Sequence, residues 1–388
     1  MNHHNLSVLD ALTFEKLRKI APNILANQHA ARHGVWQVQD QPEEIAFKLT
    51  NRCDLRCSHC YQWNEAGYHR QLSAGVQGKD MDLSIIAKVL AATRVRNSNV
   101  YLWGGEPLVY RDWDSLVELL CAENRWITLC TNGTFIEKRL NGLLSLSRQL
   151  EVSISIDGFE QEHDSVRGQG AFAKTMQGLR LLVAQKQAGT YQGEITVNFL
   201  ITNPMIKKIL SFVAWLEAEG IDTLYISFPW FLSEAANQRM DDYYRRYFDN
   251  QPFTQKPSWY SYNYCLTSEL LPDLSLAVTQ LNQRKNRFKL RYNPELTEHE
   301  LATFISGSDQ PAQNKTRCQS ILTRMDIFPD AQVVSCKFFP EFRMGDLSEN
   351  TIEEVWLGKR FTQQRSVLSQ CGLMPVCAKC NLLYTRGG

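Results

Sequence analysis

Three cysteines stand close together in TNRCDLRCSHCYQW, with Cys53 and Cys57 separated by three residues and Cys57 and Cys60 by two. The stretch follows directly on a β-rich run, IAFKLT (45–50), so the three thiolates converge on one loop at the end of a strand. A closed zinc site needs four ligands, and the nearby candidate for the fourth, His59, lies between two of the others, where a tetrahedral centre is awkward. An iron–sulfur cubane takes thiolates on its irons, so three cysteines would hold three irons and leave the fourth open to an external ligand. A zinc knuckle or three unrelated core cysteines are the plainer readings, and the spacing on such a loop favours the metal centre.

A second set lies near the C-terminus. Cys318 and Cys336 flank an apparent hairpin, RMDIFPDAQVVSC, with 17 residues between them, and Cys377 and Cys380 form a Cys-x-x-Cys pair in MPVCAKC. Four thiolates from three places suit one closed site, for which structural zinc is the serious rival to an iron–sulfur cluster. The last 71 residues hold too little apolar chain to stand without such a staple. Cys371 is surplus: a substitute ligand, a thiol near substrate, or packing. Cys121 and Cys130, on a helix and a strand, read as packing.

Three further elements carry chemistry. In LWGGEP (102–107), two glycines let backbone approach a ligand, and Glu106 can accept hydrogen bonds from an ammonium, although Gly-Gly is commonly just a turn. In SISIDGFEQEHDSVRGQGAF (153–172), Asp157-Gly158 is an ordinary turn and His163 a helix cap on the plain reading. Asn198, in TVNFLIT, is a polar residue in an otherwise buried run, either a satisfied core amide or a ligand contact.

Taken together, CDLRCSHCY with the aromatic Tyr61 after its third cysteine resembles the signature of the radical S-adenosylmethionine (radical SAM) enzymes. LWGGEP is similar to the family's GGEP element, and residues 153–172 to the SxDG...HDxxRGxG stretch of radical SAM maturases. The resemblance implies that Cys53, Cys57 and Cys60 bind a [4Fe-4S] cluster whose fourth iron chelates SAM. One electron, from a donor such as flavodoxin or ferredoxin, then yields methionine and a 5′-deoxyadenosyl radical. It also implies that Tyr61, Gly104, Gly105, Glu106, Ser155, Asp157, Arg167 and Asn198 surround SAM. Within that set, Glu106 and the glycines take its amino group and Arg167 offers a planar fork to its carboxylate. Asp157 either joins them or shapes the turn.

The C-terminal stretch resembles the SPASM/twitch extension, which binds auxiliary iron–sulfur clusters. A full SPASM domain carries seven cysteines for two clusters, and this chain has five there. One auxiliary [4Fe-4S] cluster on Cys318, Cys336, Cys377 and Cys380 is the reading that follows. Cys265, after the aromatic run WYSYNY (259–264), is either packing or a hydrogen-atom donor of the kind some relatives use. Trp230, Trp259, Tyr260, Tyr262 and Tyr264 line a substrate pocket or belong to the core.

These residues need a scaffold. Short strands IAFKLT, NVYLWG, WITLC, EVSISI, ITVNFLI and LYISF alternate with helical patterns of 11 or more residues, which implies a parallel sheet with right-handed crossovers. Reactive groups in such folds sit on loops at the C-terminal strand ends, where every motif above falls. The expected fold is α/β, a partial (β/α)6 TIM-type radical SAM barrel with a small C-terminal twitch/SPASM-like Fe-S domain. The expected boundaries are an N-terminal extension (1–44) with a helix near Leu9 to Ala21, a core (45–229), a bridging segment (230–317) and the auxiliary-cluster domain (318–388).

Composition limits the rest. The 388 residues are 44% hydrophobic and 21% charged, enough for a core, and 42 basic against 41 acidic side chains leave +1, with no basic patch for nucleic acid. No apolar run reaches 18 residues and the N-terminus lacks a signal peptide, so the expectation is a cytoplasmic protein without a membrane partner. Eleven cysteines in such a compartment read as ligands rather than disulfides. The expected reaction begins with hydrogen-atom abstraction from a peptide or natural-product precursor and ends in oxidation, a cross-link or epimerisation. The short N-terminal extension, smaller than the winged peptide-binding domain of some maturases, weakens the peptide reading. Alternatives are a dehydrogenase or epimerase of an amino sugar or other small metabolite, and a non-catalytic iron–sulfur or zinc-stabilised binding protein.

Overall fold

The computed structural model describes residues 38–249, 253–307 and 309–387, together with Ala21 and Leu25. The helix expected near Leu9 to Ala21 lies outside the described residues except at its last position. Six parallel strands carry the barrel: β1 (Glu44–Lys48), β2 (Asn99–Trp103), β3 (Ile127–Thr131), β4 (Leu150–Ser155), β5 (Glu194–Leu200) and β6 (Thr223–Ser227). They pair in chain order, and helices connect them: α1 (Leu83–Ala92), α2 (Trp113–Cys121), α3 (Ile136–Leu146), α4 (Glu160–Arg167), α5 (Ala171–Gln187) and α6 (Ile209–Leu216).

The alternation of side chains along each strand sorts the sequence into two layers. Ile45, Phe47, Val100, Leu102, Ile127, Leu129, Val152 and Ile154 turn outward to the helices and form the main apolar core. Tyr101, Thr128, Cys130, Glu151, Ser153, Asn198, Tyr225 and Ser227, on the opposite parity, line a lumen. Fully burying each large aliphatic side chain contributes about 1.5–3 kcal/mol, so the outer layer supplies the stability that lets the inner layer be polar.

Two strands extend the sheet beyond six. β7 (Lys289–Asn293), from the segment read as a bridge, pairs parallel with β6, Tyr225 opposite Arg291. β8 (Arg324–Ile327), the first arm of the expected C-terminal hairpin, pairs parallel with β1, Glu44 opposite Arg324. The hairpin continues antiparallel into β9 (Gln332–Val334) and β10 (Arg343–Asp346), giving ten strands in the order β10-β9-β8-β1-β2-β3-β4-β5-β6-β7. Between β6 and β7 run α7 (Glu234–Tyr247) and α8 (Leu271–Gln283), and α9 (Glu298–Ile305) follows β7.

The stretch TIEEVWLGKRFTQQRSVL (351–368), whose pattern reads as one helix, holds two, α10 (Ile352–Trp356) and α11 (Lys359–Cys371), broken at Leu357-Gly358. Thr351 caps α10 through a reciprocal pair with Glu354, which fixes its start. The last helix, α12 (Asn381–Arg386), packs against β7, and its Arg386 reaches Glu44 of β1 at 2.7 Å. The C-terminal module therefore shares one apolar core with the barrel, from Ile45 through Trp356 to Leu383. Among the described residues no helix is long and apolar enough to cross a membrane.

Candidate active site

The three-cysteine loop leaves β1 and is stitched to its neighbours by backbone. Gly105 N–H donates to Thr50 O at 2.9 Å and Glu106 N–H to Arg52 O at 2.8 Å, so the GGE turn after β2 lies flat against the start of the loop. A Cβ on Gly105 would fall 2.1 Å from Arg52 O, which is why glycine stands there. Asp54 reaches across to the turn after β3, accepting from Asn132 Nδ2 and Thr134 Oγ1, both at 2.8 Å. Ser58 N–H donates to Val166 O of α4 at 2.8 Å.

Donors point at the sulfurs. Leu55 N–H reaches Cys53 Sγ at 3.4 Å, and the amides of Gln62 and Trp63 are directed at Cys60. Burial pushes the Cys57 thiol up to about 12 and raises Cys53 and Cys60 as well, while the Arg167 charge pulls Cys57 and Cys60 down. A cationic metal centre is what such buried thiols need in order to ionise. Amide donors and a guanidinium facing the sulfurs fit an anionic thiolate-ligated cluster, so the residues present suit the group.

Beside the loop, Asp157 is fully buried and engaged at both oxygens. Oδ2 lies 2.6 Å from Arg167 Nε and 2.8 Å from His59 Nε2, and Oδ1 accepts Leu200 N–H at 3.0 Å. Burial alone would raise its pKa, but Arg167 and His59 outweigh that and hold it far below the usual carboxylate range. His163 accepts the Asp157 N–H on Nδ1 at 3.2 Å, and burial lowers its pKa to about 4, so it is neutral. His59 is thus turned toward Asp157 as its second partner. Its sequence position between Cys57 and Cys60 gave no sign of that role.

Glu106 is also buried and already satisfied: its carboxylate accepts from Leu108 N–H (2.9 Å), Thr131 Oγ1 (2.7 Å) and Asn132 N–H (2.7 Å). Burial raises its pKa to about 7 against those donors. A carboxylate has about four acceptor positions, so one remains for a ligand ammonium. Ser155 ends β4 opposite Asn198 of β5, and Asn198 Oδ1 accepts from Ser227 Oγ at 2.7 Å while facing the lumen.

The lumen has a volume of about 550 Å³. His59, Asp157 and Arg167 line the end by the cysteine loop, and Lys337, Phe338, Asn381 and Leu382 line the wall beside the second cysteine set. Aromatic rings join the two: Tyr61 stacks on Tyr262 at 4.8 Å, Tyr262 meets Trp230 at 5.2 Å, and Trp230 meets Phe338 at 4.2 Å. Trp230 Nε1 donates to Asn381 Oδ1 at 2.8 Å. Of the five aromatics noted in the sequence, Trp230, Tyr262 and Tyr264 line the lumen, whereas Trp259 is fully buried and hydrogen-bonds to Asp241. Cys130 packs against the Ala46, Trp103, Phe328 and Val334 cluster, as its packing reading expects, and also faces the lumen, 2.8 Å from Tyr101 Oη. The period-2 pattern of ITLCT, with Thr128 and Cys130 on one parity, was the signal for it.

Cys318, Cys336, Cys377 and Cys380 line one small enclosed cavity with Ser320, Ile321, Phe339 and Leu368. Burial pushes Cys380 up to about 12 and raises the other three, and the four sulfurs repel one another when charged. The Ser320 hydroxyl, buried in that cavity, is directed at Cys318, a donor suited to a thiolate ligand. Among the described residues no three His, Cys, Asp or Glu side chains gather as they would round a single metal ion. A shared cavity lined by four thiols fits a multi-iron cluster.

Two cysteines stand apart. Cys371 ends α11 exposed and borders an outer groove with Tyr243 and Tyr247, away from the four-cysteine cavity, so the structure does not bring it in as a substitute ligand. Cys265 is exposed, its thiol directed at Leu266 O, and it is absent from the lumen lining. Its neighbour Tyr264 holds the lumen position instead.

Comparisons with known proteins bear on the two regions that carry the cysteine sets. Residues 47–227 match the model of the radical SAM superfamily, and residues 318–381 match an iron-sulfur cluster-binding domain, SPASM. The chain is 31% identical over 144 residues to the antilisterial bacteriocin subtilosin biosynthesis protein AlbA of Bacillus subtilis, covering 36% of this chain and 30% of that protein. It is 26% identical to pre-heme d1 synthase of Dinoroseobacter shibae, covering 81% of this chain and 73% of that one. Streptococcus suis SuiB, solved bound to its precursor peptide SuiA, has the same fold: TM-score 0.58 at 14% identity, covering 94% of this chain and 74% of that one. The match to AlbA thus spans under a third of that protein's length.

Proposed function

The chain belongs to the radical SAM superfamily and carries a SPASM domain, and from that premise we propose that it is an enzyme modifying a ribosomally made peptide. Its cofactors are a [4Fe-4S] cluster, SAM and auxiliary iron–sulfur chemistry. Cys53, Cys57 and Cys60 hold the first cluster, and Cys318, Cys336, Cys377 and Cys380 hold one auxiliary [4Fe-4S] cluster. When bound and reduced by one electron from a flavodoxin- or ferredoxin-type donor, the first cluster and SAM supply a 5′-deoxyadenosyl radical for hydrogen-atom abstraction. The proposed units are a core at 45–229, a bridge at 230–317 and a cluster module at 318–388, working in a reducing cytosol where the thiols stay free.

The protein's own contribution is placement. Arg167, fixed by Asp157, presents its remaining guanidinium nitrogens to the SAM carboxylate, and Glu106 keeps one acceptor position for the SAM ammonium. Ser155 and Asn198 flank the adenosine, and Tyr61 walls the mouth. The lumen carries the reading: one cavity of about 550 Å³ runs from the Arg167 corner to the wall beside the second cysteine set, within the usual range for a bound small ligand. A single substrate side chain reaching into it meets the SAM end and the auxiliary end together.

The likenesses to a bacteriocin biosynthesis protein and to a fold solved with a precursor peptide support a peptide substrate. The match to pre-heme d1 synthase over 81% of this chain supports a second reading, a small metabolite oxidised in the same lumen. Anaerobic reconstitution with SAM and dithionite against candidate peptides and small metabolites, read by mass shift and by 5′-deoxyadenosine, tests both. A mass change in a peptide supports the first, and a change confined to a small metabolite replaces it with the second. Absence of 5′-deoxyadenosine under every condition removes both.

A further inference from the structure

Lys48, the last residue of β1, is 1% exposed. Its Nζ lies 2.8 Å from His69 Nε2 and donates to Tyr68 Oη at 3.0 Å, and the rings of Phe328, Tyr68 and Trp103 stand 4.8, 5.3 and 5.6 Å from it. Burial and the Lys48 charge keep His69 neutral, so its ring nitrogen accepts from the ammonium. Among the described residues no carboxylate lies within ion-pair distance of Lys48. Burial pushes the Lys48 pKa down to about 7, and the anion-forming group that most favours its charged form is the Cys60 thiol, ahead of Asp330.

The turn that holds Lys48 hangs from the cysteine loop. Tyr68 N–H donates to Tyr61 O at 3.4 Å and His69 N–H to Gln62 O at 3.0 Å, so the two acceptors of the ammonium are tied to the residues directly after Cys60. A buried ammonium served only by neutral acceptors and ring faces costs several kcal/mol of lost hydration unless a negative charge stands near. The group that completes this environment is an anion at Cys60.

We propose that Lys48 is a positioning residue for the charge of the first cluster: a buried ammonium, held charged by the anion at Cys60, that offsets the negative charge gained on one-electron reduction and so raises that cluster's reduction potential. The electron itself comes from the low-potential one-electron carrier the enzyme requires, and no bond to Lys48 forms or breaks. The inference rests on the reading that Cys60 ligates the cluster.

The test is a redox titration of the reconstituted full chain, followed by electron paramagnetic resonance, comparing wild type with K48M, which keeps the length and apolar stem. At a potential fixed at the wild-type midpoint, the reduced-to-oxidised ratio of the SAM-responsive cluster should fall at least tenfold in K48M, about 59 mV for one electron. The auxiliary signal should stay within twofold. A change under twofold in the SAM-responsive signal at unaltered iron content overturns the proposal. Should K48M fail to load iron, K48R decides: retention of the wild-type ratio supports a charge role, and a tenfold fall despite the retained charge overturns it. C60A separates the two layers, since a SAM-responsive cluster surviving in that variant sinks the ligand assignment itself.

Discussion

The two cysteine sets solve opposite problems. The first occupies one loop of the barrel, whose His59 and Tyr61 line the lumen, and lies beside polar machinery in which Asp157 engages both Arg167 and His59. The second is gathered from three stretches of chain into an enclosed, largely apolar cavity with Ile321, Phe339 and Leu368 as neighbours. On the proposed assignment, a site with three protein ligands and an open side is built to exchange a ligand. A site with four and no opening is built to keep what it holds. The difference teaches that ligand count and wall polarity together separate a reacting metal centre from an electron-storing or structural one.

The largest effect that would break this comparison is in paired cysteine variants. C57A should drop 5′-deoxyadenosine formation to background and lower iron from about eight to about four per chain, given four irons per cubane. C380A should lose a similar amount of iron while keeping SAM cleavage within about tenfold of wild type. Iron analysis and chromatographic assay of 5′-deoxyadenosine read both. Equal loss of SAM cleavage in the two variants would erase the distinction between the sites.

A middle-sized effect sharpens it. R167M strips Asp157 of its main partner and should cost about 3–5 kcal/mol, the usual penalty for breaking a buried pair. The sign with pH follows. Asp157 is held far below its unfolded value near 3.9, so its contribution is complete above that value and is lost as pH falls through the folded one. Removing Arg167 raises the folded value, so the acid limb of stability should move to higher pH. Urea unfolding across a pH series measures it, and an unmoved acid limb would show that Arg167 is not what holds Asp157 ionised. The smallest effect belongs to the outlying thiol: C371S should leave iron content unchanged and stability within about 0.5 kcal/mol. Loss of auxiliary iron in C371S would return it to the ligand set.

The first cysteine set was legible in the sequence because its members are local. Cys53, Cys57 and Cys60 declare themselves by spacing, as do Gly104 to Glu106 by their place after a strand. The six strands were visible for the same reason, each being a short apolar run between helices. What escaped was non-local. Lys289–Asn293 reads KLRYN, a short run with two charges, and becomes a strand only because β6 offers an unpaired edge. Nothing in residues 324–327 says that their partner is β1. His59 and Lys48 escaped because their roles depend on Asp157 and on the 68–71 turn, both brought close by folding. Asn381 and Arg386 reach the lumen wall only because α12 packs on β7.

The pairing of β1 with β8 has a consequence for how the protein is made. Glu44 and Arg324, opposite each other in that ladder, are 280 positions apart in the chain. On a ribosome adding about 5–20 residues per second, the first strand therefore waits many seconds before its second neighbour exists. During that wait one edge of the nascent barrel stays bare, an invitation to wrong partners. Biogenesis of this protein should accordingly reward slow induction, low temperature and abundant chaperones.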